Sequence, residues 1–119
     1  MNRTVALRCA LVAAIVFAVT MALLPKPPEM PIDRFGDKFG HMLAFATMAL
    51  LAALSFPTAR LFRIGERLSF LGAMIEVLQS IPALHRDCDI HDWLADTLAI
   101  TVVLVIVRLA RRGRGARLP

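Results

Sequence analysis

The sequence predicts an all-α, polytopic membrane protein: four transmembrane helices in a small bundle, with both termini cytoplasmic. Composition is the first reason. Of 119 residues, 58% are hydrophobic and 19% charged, more apolar surface than a soluble domain of this size can hide. Clustering is the second. Cys9 to Leu24 carries no charge in 16 residues, Met42 to Phe56 none in 15, and Thr97 to Val107 none in 11. Each run is apolar on every side, whereas a soluble helix facing a core shows a stripe of about 100°, so lipid is the solvent that fits. The third reason is where the charges lie. The net charge of +5 comes from basic residues set beside the apolar runs rather than on a separate basic surface, which fits membrane topology and not nucleic-acid binding.

The chain reads as one domain, 1–119, with helices at about 4–24, 37–56, 64–81 and 93–109 and a basic tail over 110–119. At about 1.5 Å per residue the first helix spans the hydrocarbon, provided Arg8 snorkels back to its own interface. Arg3 and Arg8 ahead of an apolar run resemble the layout of a secretory leader, but no small-x-small cleavage site follows, so a span is expected. Pro25, Pro27, Pro28 and Pro31 then forbid helix and make an extended connection. Helix two starts at Asp37, with Asp33 or Asp37 as its N-cap, and stops before Pro57. Ala44, Ala49, Ala52 and Ala53 let it approach its neighbours.

Helix three is the weakest span, because Glu66 and Arg67 crowd its start and Glu76 and Gln79 sit near its end; packing must carry it. Helix four contains the β-branched Thr101, Val102 and Val103. In lipid a lone strand would leave its amides unpaired, so helix is expected there. Trp93 is expected to anchor it at the interface. The tail from Arg111 to Arg117 reads as a disordered, lipid-facing end. Cys9 and Cys88 fall at opposite membrane faces, so no disulfide joins them.

Orientation follows from counting Lys and Arg. The N-terminus, the segment from Pro57 to Arg67 and the C-terminal tail carry ten, against four at Lys26, Arg34, Lys38 and Arg86. The richer side is cytoplasmic. Eight of the nine acidic residues, all but Glu66, then fall on or near the outer side.

That orientation gathers Asp37, Lys38, His41, Glu76, Gln79, Arg86, Asp92 and Asp96 at one end. Asp37 and His41 are four residues apart, Glu76 and Gln79 three, and Asp92 and Asp96 four, so each pair stacks on one side of its helix. A carboxylate such as Glu76 inside a membrane helix costs several kcal/mol unless paired, hydrated or neutralised. His41, Lys38 and Arg86 are its candidate partners.

The order Asp37-Lys38-Phe39-Gly40-His41, then Ile75-Glu76-Val77-Leu78-Gln79, then Arg86 and Asp92 before a last helix resembles the VanZ-like membrane proteins over about Asp37 to Ala99. The family's last helix usually carries Asn where Asp96 stands here, and a Gly near Ala99. The resemblance implies a multi-pass protein of the bacterial cytoplasmic membrane, in a family linked to teicoplanin resistance, without an established reaction.

Five readings of the cluster stand beside one another. As a binding site, Lys38 and Arg86 grip anionic oxygens of a lipid, a lipid-linked cell-wall intermediate or a lipoglycopeptide, while Gln79, Asp92 and Asp96 accept hydroxyls or amines. As an enzyme, His41 or Glu76 is the base, but nothing marks a nucleophile; Ser80 beside Pro82 carries no motif. As scaffolding, the same residues form an ion-pair network. A transport path is hard to draw through an inner half with scattered Thr20, Thr47, Ser55, Ser69 and Thr101. A metal at His85, Cys88 and His91, with Asp87, Asp89 and Asp92 among them, lacks a second paired motif, and a solvated loop is expected instead. The reading adopted is binding in an envelope role, with membrane lipids as partners, no cofactor, no nucleic acid, and an oligomer allowed.

Overall fold

The structure is a computed structural model, and it describes residues 2–23, 37–81 and 90–117. It is all-helical, with α1 over Arg3–Leu23, α2 over Asp37–Ser55, α3 over Leu61–Gln79 and α4 over Ile90–Arg117. The connection holding the four early prolines, Asp33 as a candidate N-cap, and the loop with Arg86 and Cys88 lie outside the described residues.

The helices run alternately up and down. Arg8 near the start of α1 meets Ser55 at the end of α2, Gln79 at the end of α3 meets Ala22 at the end of α1, and Arg111 late in α4 meets Ala53 late in α2. The start of α1, the α2–α3 turn and the end of α4 therefore share one end, which is the basic one. The end of α1, the start of α2, the end of α3 and the start of α4 share the other.

The core follows helical spacing. On α2, Phe45, Met48, Ala49, Ala52 and Ala53 are buried, a pattern of three- and four-residue steps that defines one face. Three of the four alanines noted in the sequence are on it, and Ala44 is half-buried. Facing them are Ile64, Leu68 and Ile75 from α3, Ile100 and Leu104 from α4, and Leu11 from α1. α2 packs chiefly on α4 and α1, and α4 on α3. Glycines set the closeness of that last seam. A Cβ on Gly65 would lie 3.1 Å from Leu104 Cδ1, tighter than ordinary contact.

Several boundaries differ from the sequence reading, each for a local reason. α3 begins at Leu61 rather than 64, because the turn after Pro57 is short. Ala59 N donates to Phe56 O at 3.0 Å, and Ile64 N already reaches Arg60 O at 3.2 Å. It closes at Gln79, where Ser80 and Ile81 turn tightly ahead of Pro82: their amides reach Val77 O and Leu78 O at 3.2 and 3.1 Å. α4 begins at Ile90, three residues before Trp93, and continues through Arg117, so the basic tail is helix and not the disordered end expected. Ala110, Arg111, Arg112 and Arg114 are strong helix formers that carry Gly113 and Gly115, and Arg111 docks on α2.

By length and composition, Arg3–Leu23 (21 residues) and Ile90–Gly113 (24 residues) are apolar enough to cross a membrane, and Phe39–Ser55 is a shorter apolar helix. The outside of the bundle is correspondingly oily. Phe17, Leu43, Phe62, Phe70, Leu98 and Ile106 are among the large apolar side chains exposed there.

Candidate functional site

Polar side chains are engaged at both ends of this bundle, and at the basic end the exposed Arg8 and the half-buried Arg111 complete helix α2. A helix leaves its last carbonyls without internal partners. The natural donor to Ala53 O is the amide four residues on, but that residue is Pro57, which has no N–H. Arg111 of α4 supplies the missing donor, its Nη2 lying 2.9 Å from Ala53 O. From the opposite side, Arg8 of α1 gives its Nε to Ser55 O at 3.3 Å and rests 4.4 Å from the centroid of the Phe56 ring. The sequence reading had Arg8 retreating to an interface. It stays at that end but is engaged by α2. Ser55 Oγ beside it is buried without a hydrogen-bond partner.

At the other end, Glu76 and Gln79 stand in the last turn of α3, and Asp92 and Asp96 in the first two turns of α4. Glu76 is 7% exposed, Gln79 3% and Asp96 2%, while His41 of α2 and Asp92 are half-buried. Gln79 is turned toward α1, where its Nε2 donates to Ala22 O at 2.9 Å, so its amide closes a helix end. Glu76 and Asp92 are the carboxylates close enough to act electrostatically on Asp96. Asp96 Oδ1 is buried with no hydrogen-bond partner. Asp37 and Lys38 open α2, but their side chains, and the whole of Arg86, lie outside the described residues. Of the eight residues singled out in the sequence, the structure thus brings Glu76, Asp92 and Asp96 together and gives Gln79 an engagement elsewhere.

Below the carboxylates runs a polar seam that sequence reasoning missed. Trp93 Nε1 donates to Ser69 O at 2.9 Å, and Ser69 Oγ shares a hydrogen bond with Thr97 Oγ1 at 2.9 Å. Gly72 lets the indole lie against α3, since a Cβ there would sit 3.4 Å from Trp93 Cδ1 and 3.5 Å from Phe45 Cζ. Trp93 is therefore half-buried between helices. The readable signal was Gly72 in α3 together with Thr97 one turn after Trp93.

Of the metal reading, His85, Asp87, Cys88 and Asp89 lie outside the described residues. Among the described residues no three His, Cys, Asp or Glu side chains are grouped to hold an ion. No family model, curated protein or solved structure matches the chain.

Proposed function

We propose that this chain is a four-span protein of the bacterial cytoplasmic membrane, with both termini in the cytoplasm. Its acidic end binds the polar head of an amphiphile: a lipid, a lipid-linked envelope intermediate or a lipoglycopeptide. The observation that carries this reading is inverted polarity. Among the described residues, twenty-two large apolar side chains are exposed over all four helices and their ends, while Ser55, Glu76, Gln79 and Asp96 are buried. In water that arrangement would be unfavourable twice over; in lipid both halves are favourable.

Exposed hydroxyls support it too. Thr47 Oγ1 donates to Leu43 O at 2.9 Å and Thr101 Oγ1 to Thr97 O at 2.8 Å, so these two outward-facing hydroxyls are satisfied within their own helices, as suits a lipid-facing side chain. α2 and α3 complete the four spans by packing. The apolar part of α2, at about 1.5 Å per residue, reaches about 26 Å against a hydrocarbon core of about 30 Å.

Binding is the reading, and not catalysis, because among the described residues the acidic end offers acceptors and no activated nucleophile. Lys38 and Arg86 hold the anionic part of the head, and the resemblance to VanZ-like proteins gives the envelope setting. The test is lipid retention. Protein purified with its lipids and examined by native mass spectrometry should carry a defined amphiphile that Lys38→Ala and Arg86→Ala release. Unchanged retention in both variants refutes head-group binding.

A further inference from the structure

We propose that the groove along the outer face of α1 holds one anionic phospholipid of the leaflet at the basic end, with its phosphate on Arg8 and an acyl chain running toward Thr20. This goes beyond head-group binding at the acidic end and shares with it only the membrane topology. α1 packs on α2 and, to a smaller extent, on α3. Its outer face carries an open groove of about 810 Å³. The small Cys9 and Ala13 leave it hollow between the larger Val12, Val16 and Phe17. The lining is almost wholly apolar, so Arg8 contributes its stem and keeps its guanidinium at the rim. From Arg8 to Thr20 is twelve residues, about 18 Å of helix, and one leaflet of the hydrocarbon is about 15 Å deep. A groove of that length takes an acyl chain whose head lies level with Arg8.

Charge selects the head. Arg8 is exposed. Of its five N–H donors, Nε reaches Ser55 O, and the guanidinium carbon lies 4.4 Å from the centroid of the Phe56 ring. Among the described residues nothing accepts from the other four donors and no carboxylate pairs with Arg8. The surroundings supply little counter-charge. The first turn of α1 holds no acid, and among the described residues Glu66 is the one acid at that end. The contacts with Ser55 and Phe56 also fix the guanidinium before any ligand arrives, which removes part of the ordering cost of binding. Its remaining N–H groups match phosphate oxygens. A zwitterionic head brings an ammonium into an end already rich in arginine, so the anionic head is favoured. A second copy of the chain is disfavoured as the occupant. Both copies share one orientation in the membrane, and a symmetric contact through this groove sets two Arg8 side chains against each other.

The test uses the full-length protein in detergent micelles, native mass spectrometry and equal concentrations of dioleoyl phosphatidylglycerol, phosphatidylcholine and phosphatidylethanolamine. One phosphatidylglycerol per chain should be retained at least tenfold over either zwitterionic lipid. Arg8→Gln should lower that retention at least tenfold, while Arg112→Gln, the same charge change at an exposed position of the same end, should leave it within about twofold. Ala13→Phe fills the groove without touching Ser55 or Phe56 and should also release the lipid. It is the deciding variant if Arg8→Gln shifts the Trp93 emission that reports folding. No preference among the three lipids, equal losses in Arg8→Gln and Arg112→Gln, or full retention in Ala13→Phe overturns the site. So does a dimer that Ala13→Phe dissociates and that Cys9 cross-links in a Cys88→Ser background, since a second copy then covers the groove. Each of these overturning results leaves the head-group reading standing, because none of the substituted residues lies at the acidic end.

Discussion

Arg111 replaces a hydrogen bond that Pro57 cannot make, and this substitution of one donor for another can be measured. Ala53 is fully buried, and its carbonyl receives Arg111 Nη2 at 2.9 Å. A hydrogen bond from a charged donor contributes about 1.5–3 kcal/mol. Arg111 is half-buried, so screening places the expected loss in Arg111→Met near the lower bound, about 1.5 kcal/mol, or roughly tenfold in the unfolding equilibrium. Methionine keeps much of the stem and removes the donor. The assay is reversible unfolding by SDS in mixed micelles, followed by Trp93, the single tryptophan of the chain. Pro57→Ala returns an amide at the position four residues after Ala53, and in that background Arg111→Met should cost less than about 0.5 kcal/mol, a coupling of about 1 kcal/mol. Equal costs in the two backgrounds, or no difference between Arg111→Met and the control Arg112→Met at an exposed position, refute the reasoning.

Three further outcomes follow from the same contacts. Gln79→Leu leaves Ala22 O unpaired in a buried site and should lower stability by about 1–2 kcal/mol in the same unfolding assay. Gly72→Ala places its Cβ at ordinary contact with Trp93 and Phe45 and should keep the wild-type emission spectrum. Gly72→Leu has no room beneath the indole and should displace it, shifting Trp93 emission to the red. In a chain carrying Cys9→Ala and Cys88→Ser, an impermeant maleimide should label His91→Cys from outside spheroplasts and Thr58→Cys only after permeabilisation; the reverse pattern inverts the orientation.

Much of the fold was legible because it depends on one-dimensional features. Charge-free runs and proline positions gave four helices, with most ends within three residues of those found. The errors came from tertiary partners. The tail after Leu109 has helix formers of its own, but part of the reason it stays helical, Ala53 O, lies 58 residues away. The packing of Trp93 was missed for a related cause: nothing along α4 indicates that Gly72 and Ser69 face it. At the acidic end, helical spacing put Asp92 and Asp96 on one side of α4, and in the structure both Asp92 and Glu76 lie within electrostatic reach of Asp96. Spacing along α3 could not show that Gln79 turns toward α1, since the side of a helix that meets each neighbour is set by packing and not by sequence interval.

The closing of α2 by Arg8 and Arg111 has a consequence for biogenesis. A chain made from its N-terminus has Arg8 ready before Ser55 emerges, but Ala53 must wait for a residue 58 positions later. If α2 is a span, as proposed, one of its terminal carbonyls is without a protein donor when it first enters the bilayer and depends on water or lipid head groups at the interface. The basic end of α2 is sealed only when α4 is almost fully synthesised. On that proposed topology, docking of the last helix is the step that commits the second to its final depth.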